Sequence, residues 1–138
     1  MAADDIRNAT NIAGSGLAAQ SARLRIIAQN IANAQSTGRT ADEDPYRRQT
    51  VTFKNVLDKE MGVPVVKVVK YNSDPSPFEM RYMPYHPAAN KDGYVKYPNV
   101  KTLIETADLK EAQRSYEANL SVVDTSRTMF SRTIDLMR

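Results

Sequence analysis

Each end of this 138-residue chain carries the pattern of a long amphipathic helix with two apolar stripes instead of one. The first helix is predicted over residues 6–34 and the last over residues 103–137. One stripe on each helix is enough to pair the two helices with each other. The second stripe needs another partner, so the pattern predicts assembly with other molecules.

The main stripe of the first helix follows three- and four-residue spacings, as in a heptad repeat. Its members are Ile6, Ala13, Leu17, Leu24, Ile27, Ile31 and Ala34. A second stripe of Ile12, Ala19 and Ile26 lies more than about 90° around the helix. Gly14 and Gly16 interrupt the run, and glycine in a helix permits either a bend or a close backbone approach.

The last helix repeats this arrangement. Its main stripe recurs every seven residues and contains Leu109, Tyr116, Val123, Phe130 and Met137, widened by Leu120 and Ile134. A second stripe of Val122, Met129 and Leu136 lies about 120° away. Asn99 is predicted to cap the helix, because its side chain accepts an orphan amide hydrogen bond. Glu105 is interpreted as an early acidic residue that suits the helix dipole.

The middle of the chain reads as a loop followed by short strands. Residues 35–45 lack apolar periodicity, and residues 50–54, 63–71, 78–82 and 94–97 favour extended structure. We therefore predict an α+β fold, in which long terminal helices pair as a coiled coil around a small, mostly antiparallel β-region. The predicted division is 1–36, 37–98 and 99–138. An alternative without partners has the second stripes covering this middle region.

Composition excludes several classes of protein. The chain has no cysteine, which excludes disulfides and thiolate chemistry, and no apolar run approaches the ~18 residues that span a bilayer. Its N-terminus lacks the pattern of a cleavable secretory signal. The net charge of +3 is dispersed along the chain, with Arg47 and Arg48 as a small basic pair, so no nucleic-acid partner is predicted.

No pattern in the chain predicts catalysis, a metal or a cofactor. His86 is the single histidine and has no ligand set at suitable spacing, so a structural role is favoured. The acidic run of residues 42–44 lacks the remaining positions of a calcium loop and is interpreted as solvated. Residues 14–16 lack the rest of a phosphate-binding loop.

Asn30 and Asn33 lie on neighbouring turns at the end of the first helix. Their amides suit backbone groups where a helix ends or where another chain crosses it. Ordinary helix termination by polar residues is the alternative.

At these residues the chain shows a family resemblance that covers nearly its whole length. The chain resembles the flagellar basal-body rod proteins, and most closely those of the proximal rod. The segments that carry the resemblance are 14–20, 23–24, 30–34, 45–49, 74–77, 86–87, 92–95, 97–100 and 112–119. The acidic stretch 40–44 departs from the pattern, since many relatives have a compact turn there.

The resemblance implies a structural subunit that polymerises into the drive shaft between the motor and the hook, with no catalysis and no cofactor. It implies packing roles in assembly for Leu17, Leu24, Ile27, Asn30, Asn33, Tyr116, Asn119, Val123 and Phe130. The implied partners are other copies of the chain, related proximal and distal rod proteins, junction proteins at the rod base and membrane ring, and the flagellar type III export apparatus. The implied location is the basal-body rod that crosses the periplasm, reached without signal cleavage.

Two other functions are compatible with the sequence. A soluble adaptor could pair through its terminal coiled coil, and an enzyme could carry a site near His86. Under the rod hypothesis a free monomer exposes its second stripes. We therefore predict that its terminal helices are partly disordered before assembly and fold on binding.

Overall fold

The computed structural model describes residues 2–136, with side chains from residue 4 onward. In chain order its elements are α1 (Ala2–Ala32), β1 (Gln49–Asp58), β2 (Val63–Ser73), β3 (Glu79–Tyr82), β4 (Tyr94–Tyr97) and α2 (Thr102–Leu136). Two long helices thus flank a small antiparallel β-region, which confirms the predicted α+β class. Both helices begin earlier than predicted, and Met137 of the predicted main stripe lies outside the described residues.

Helix α1 runs without interruption through its two glycines. Its end is marked by Asn33, whose amide donates to the carbonyl oxygen of Gln29 at 2.9 Å and accepts from the Ser36 hydroxyl at 3.2 Å. The Gln29 carbonyl also accepts from the Asn33 backbone N–H at 3.1 Å, so the side chain adds a second hydrogen bond to a carbonyl of the last turn. This is the helix-terminating role weighed for Asn33 above.

The strands form two separate two-stranded sheets. Strands β1 and β2 are joined by residues 59–62, a connection so short that the strands run antiparallel. Gly62 closes that turn with a φ of 66°, and its N–H donates to the Asp58 carbonyl at 2.8 Å. Strands β3 and β4 pair antiparallel, with Glu79 opposite Tyr97 and Tyr82 opposite Tyr94.

The turn before β4 is held by Asn90. The Asn90 carboxamide oxygen accepts from the backbone N–H of Asp92 at 3.0 Å and of Tyr94 at 2.9 Å. Gly93 has a φ of 81°, in the region where a residue with a Cβ is strained. These contacts fix the register in which β4 begins.

The contacts within the chain divide it into two compact units. Of the described residues, 2–24, 51–70 and 110–136 form the first unit, and 25–50 with 71–109 form the second. Each unit contains parts of both helices and part of the β-region. These units combine parts of the chain that are distant in sequence, and the division into 1–36, 37–98 and 99–138 stays a prediction.

In the first unit, α1 and α2 lie side by side and antiparallel. Arg23 approaches Glu111 at 3.7 Å, while Gly16, earlier in α1, lies against Asn119, later in α2. A Cβ added to Gly16 would come within 2.9 Å of the Asn119 amide nitrogen, so this glycine allows the close approach anticipated from sequence. The β-hairpin contacts α1 through Val66, whose N–H donates to the Ser15 hydroxyl at 3.1 Å.

The second unit has a mixed apolar and polar core. Its buried apolar side chains include Ile26, Ile27, Ala88, Val95 and Val100. Asn30 and Glu105 are buried among its largest fully enclosed side chains, and each is only 1% exposed. Buried polar groups of this kind require hydrogen-bond partners, because leaving them unpaired is costly.

The second stripes of the two helices differ in burial. On α1, Ala19 and Ile26 are buried within the chain, and only Ile12 is exposed. On α2, Val122, Met129 and Leu136 are all exposed. The excess of apolar surface predicted for both ends is therefore concentrated on α2, while on α1 the alternative without partners accounts for most of it.

Neither described helix contains a stretch that is long and apolar enough to cross a membrane.

Candidate assembly interface

The second unit is built around the buried carboxylate of Glu105. Its Oε1 accepts a 2.6 Å hydrogen bond from Nε of Arg48, and its Oε2 accepts from the Asn30 amide at 3.1 Å. The Arg48 side chain is one-quarter exposed, whereas the Glu105 side chain is 1% exposed. A charged group so far from water is stable only when it is paired and hydrogen-bonded, as here.

Asn30 uses both ends of its amide on the start of β1. Its nitrogen donates to the Gln49 carbonyl at 2.8 Å, and its oxygen accepts from the Gln49 N–H at 2.9 Å. The Tyr46 hydroxyl donates a further 2.8 Å bond to the same oxygen. The side chain therefore pairs with β1 as a neighbouring strand would, which confirms that it satisfies backbone groups. The backbone groups that Asn30 satisfies are those of Gln49 in the same chain.

Burial changes the acid–base behaviour of the tyrosine. Removal of Tyr46 from water, reinforced by the negative charge of Glu105, raises the pKa of its hydroxyl above 10.0. The Tyr46 hydroxyl is therefore held in the neutral form that donates to Asn30.

Asp74 extends the same network. The Ser76 hydroxyl and the Ser76 N–H both donate to its carboxylate, and Arg48 approaches it at 3.4 Å. These donors, the serine first, lower the pKa of Asp74 below 3.8. Burial acts to lower the pKa of Arg48, but the hydrogen bond to Glu105 and the charges of both carboxylates outweigh burial and raise it.

Asn99 corrects one prediction, because it does not cap α2. The helix begins at Thr102, and the Asn99 oxygen accepts from the Arg48 N–H at 2.8 Å. Its nitrogen donates to the carbonyl oxygens of Asp74 and Ser76 at 3.1 and 3.2 Å. The Asn99 side chain therefore joins two loops, and these hydrogen bonds use the polar atoms that capping would need.

We call Asn30, Tyr46, Arg48, Asp74 and Glu105 the buried polar network. Sequence reasoning selected only Asn30 from it. Four segments that carry the family resemblance meet around this network, namely 30–34, 45–49, 74–77 and 97–100. The resemblance of these segments was the one sequence signal that could have identified the network. Glu105 was missed because an acid in the first turn of a helix already has a local explanation.

The nine residues predicted for assembly fall into three classes of exposure. Ile27, Asn30 and Val123 are buried within the chain, so they have almost no surface left for a neighbour. Half-buried positions are Leu17, Leu24, Asn33, Tyr116 and Asn119. Phe130 is exposed at 46%. The assembly role of this set stays a prediction, and its three buried members have structural roles inside the chain.

A more accessible apolar surface lies along the C-terminal half of α2. We call it the exposed α2 row, and it consists of Leu120, Val122, Met129, Phe130, Ile134 and Leu136. Leu136 is 88% exposed and the others are between 43% and 53% exposed. They come from both stripes predicted for α2, which lie about 120° apart, so this half of the helix exposes large apolar side chains on two faces. Exposed apolar surface of this extent marks an interaction surface more often than isolated residues do.

A groove of about 520 Å³ lies between the two helices in the first unit. Ile6 and Thr10 of α1 face Phe130 and Ile134 of α2 across it. The paired helices therefore do not close completely on each other towards this end. The groove continues the apolar character of the exposed α2 row, since it shares Phe130 and Ile134 with it.

The loop with the single histidine has a structural explanation. His86 accepts a hydrogen bond at Nδ1 from the backbone N–H of Ala88 at 3.1 Å. Its own backbone N–H donates to the Met83 carbonyl at 3.0 Å. Within the described residues, no group of three or more His, Cys, Asp or Glu side chains could hold a metal ion.

Two family models match the chain at its two ends. Residues 11–38 match the model described as flagella basal body rod protein. Residues 91–136 match the model described as flagellar basal body rod FlgEFG protein C-terminal. The matched regions contain parts of both helices, and the second includes Glu105 and the exposed α2 row.

Whole-length relatives agree with these models. The chain is 53% identical over 98% of its length to the flagellar basal-body rod protein FlgC of Agrobacterium fabrum, of which 97% is covered. It is 41% identical to FlgC of Salmonella typhimurium, with 94% of this chain and 96% of the relative covered. FlgC of Borreliella burgdorferi is 37% identical, with 93% and 95% covered. The chain therefore belongs to the FlgC family of flagellar basal-body rod proteins.

Proposed function

We propose that this chain is a structural subunit of the proximal rod of the bacterial flagellum and polymerises into the drive shaft that transmits motor torque. Family membership supports the location in the basal-body rod. The observation that carries the assembly role is the exposed α2 row, whose apolar side chains the described chain leaves between 43% and 88% exposed.

The physical argument starts from the energy of apolar surface in water. Burying such surface contributes about 25 cal/mol per Å², so burial of these six apolar side chains against neighbouring molecules favours association. Densely packed interfaces also resist shear, because their side chains have few alternative arrangements. A shaft that carries torque needs both properties.

The same proposal identifies the partners of the subunit. The subunit joins other copies of itself, related proximal and distal rod proteins, and junction proteins at the rod base and membrane ring. It is delivered by the flagellar type III export apparatus and functions where the rod crosses the periplasm. None of these steps requires catalysis, which fits the relatives' designation as rod proteins.

The test is complementation of a deletion strain with exposed-surface variants. The deletion should abolish motility and leave no completed hook. Met129→Asp and Val122→Asp place charge on the exposed α2 row and should fail to restore motility. Since both positions are exposed, the unfolding free energy of the purified variants should change by no more than about 0.5 kcal/mol.

Ser121→Asp is the matched control, because Ser121 is an exposed polar neighbour on the same helix. It should restore motility fully. A motile deletion strain would refute the rod assignment outright. Loss of function with the wild-type chain missing from purified basal bodies would instead favour the soluble adaptor.

A further inference from the structure

The acidic segment after α1 forms a loop in the second unit. We call residues 38–44 the acidic loop, in which Asp42, Glu43 and Asp44 are all exposed. The Tyr46 N–H closes the segment by donating to the Ser36 carbonyl at 3.1 Å. Inside it, the Arg39 N–H donates to the Glu43 carboxylate at 2.8 Å.

The loop is also tightly packed on itself. A Cβ at Gly38 would collide with the carbonyl oxygen of Glu43, so only glycine fits there. Asp44 binds Lys96 at 3.0 Å yet keeps most of its side chain in solvent. The Glu43 and Asp44 carboxylates are therefore each held by a contact inside the unit, which lowers the entropy lost on binding.

The opposite charge lies on the hairpin in the first unit. We call residues 51–70 the lysine hairpin, and its exposed cations are Lys54, Lys59, Lys67 and Lys70. No ion pair given by the described residues includes any of them. Asp58 directs its carboxylate to the backbone N–H groups of Glu60 and Met61 in the turn.

Neighbouring strands of the hairpin both carry exposed cations, since Lys54 lies in β1 and Lys67 lies in β2. Leu57 of β1 and Val69 of β2 are more than half exposed. An acidic partner would neutralise these cations and cover this apolar surface.

We propose that the acidic loop of one copy seats on the lysine hairpin of a second copy. Charge complementarity supports a second copy as the occupant, because the same chain carries both surfaces. A contact between two different surfaces of identical subunits is heterologous, and it continues into a ring or a helix of subunits. This inference rests on the proposed rod function and adds a contact outside the terminal helices.

Cross-linking in assembled basal bodies tests the contact directly. The chain has no cysteine, so single cysteines can be placed without interference. Asp42→Cys and Lys67→Cys are introduced into two copies with different tags, and both are produced in the deletion strain. A short bis-maleimide should link the two tags in purified basal bodies only when both variants are present.

Lys91→Cys replaces Lys67→Cys in the control, since Lys91 is an exposed lysine in the turn before β4. It should give no link to Asp42→Cys. Basal bodies that contain both tags without a link would overturn the inference and leave the lysines as protection of a sheet edge. A link from Lys67→Cys to a different protein would overturn it as well. Absence of the wild-type tagged chain from basal bodies would refute the rod function instead.

Charge reversal provides an independent readout. Lys67→Glu and Asp42→Lys should each reduce swimming, because each places like charges in contact. The double variant should recover swimming, since the pair is restored with its signs exchanged. Lys91→Glu should swim normally. A double variant no better than the worse single variant would overturn the pairing.

Discussion

The guanidinium of Arg48 donates a 2.6 Å hydrogen bond to the carboxylate of Glu105, one of the most deeply buried side chains in the described structure. The bond joins the segment before β1 to the first turns of α2. Asn30 of α1 binds the other oxygen of the same carboxylate, so a single buried charge holds three parts of the second unit together.

Removing that charge should strongly destabilise the monomer. We expect Glu105→Ala to lower the free energy of unfolding by about 3 kcal/mol, because it leaves Arg48 partly desolvated without its main partner. Urea denaturation of the purified chain measures this. Glu111→Ala is the control, since Glu111 is largely exposed and its contact with Arg23 is 3.7 Å long. A loss no larger than that of the control would contradict the structural role.

The two asparagines at the end of α1 should differ in importance. Asn30→Ala leaves the backbone groups of Gln49 and the hydroxyl of Tyr46 without their partner, and should cost about 2 kcal/mol. Asn33→Ala removes exposed hydrogen bonds and should cost about 0.5 kcal/mol or less. Thermal unfolding of the two variants provides the comparison. Equal losses would mean that the pairing with β1 contributes little.

Acid should lower the stability of the second unit, because the Asp74 carboxylate becomes protonated. Its pKa is lowered in the folded state, so the folded chain binds the proton less readily than the unfolded chain does. The stabilisation is therefore complete above the ordinary value of 3.8 and is lost as the pH falls through the lower folded value. Ser76→Ala removes a donor and should raise the carboxyl pKa measured by NMR titration. An unchanged titration would show that the serine does not stabilise the carboxylate.

The two glycines of α1 should respond differently to alanine. No atom lies within 4 Å of a Cβ added to Gly14, so Gly14→Ala should stabilise the monomer by about 1 kcal/mol through helix propensity. Gly16→Ala should gain less or lose stability, because its methyl group meets the Asn119 amide. Denaturation curves decide the order. Equal stabilisation by both changes would show that the helices do not pack closely at Gly16.

Amide exchange on the free monomer tests the predicted disorder of the terminal helices. The C-terminal half of α2 exposes its apolar row and gains least from packing, so its amides should exchange fastest. Amides near Asn30 and Glu105 should exchange slowly, because the buried polar network holds them. Strong protection along the whole of both described helices would contradict folding on assembly.

The sequence by itself determined the secondary structure and the amphipathic pattern of this protein. Heptad spacing and alternating apolar residues are local signals, and they correspond to the helices and strands of the structure. It also predicted that some apolar surface would need a partner, but periodicity cannot tell which stripe a distant segment covers.

Only the tertiary structure decided that outcome. It buries Ala19 and Ile26 on α1 while leaving Met129 on α2 exposed. It also joins Asn30 to Glu105 across 75 positions of the chain. Such partners are set by how distant elements pack. The sequence identified Glu105 only as an acid that suits the helix dipole, whereas packing places it at the centre of the buried polar network.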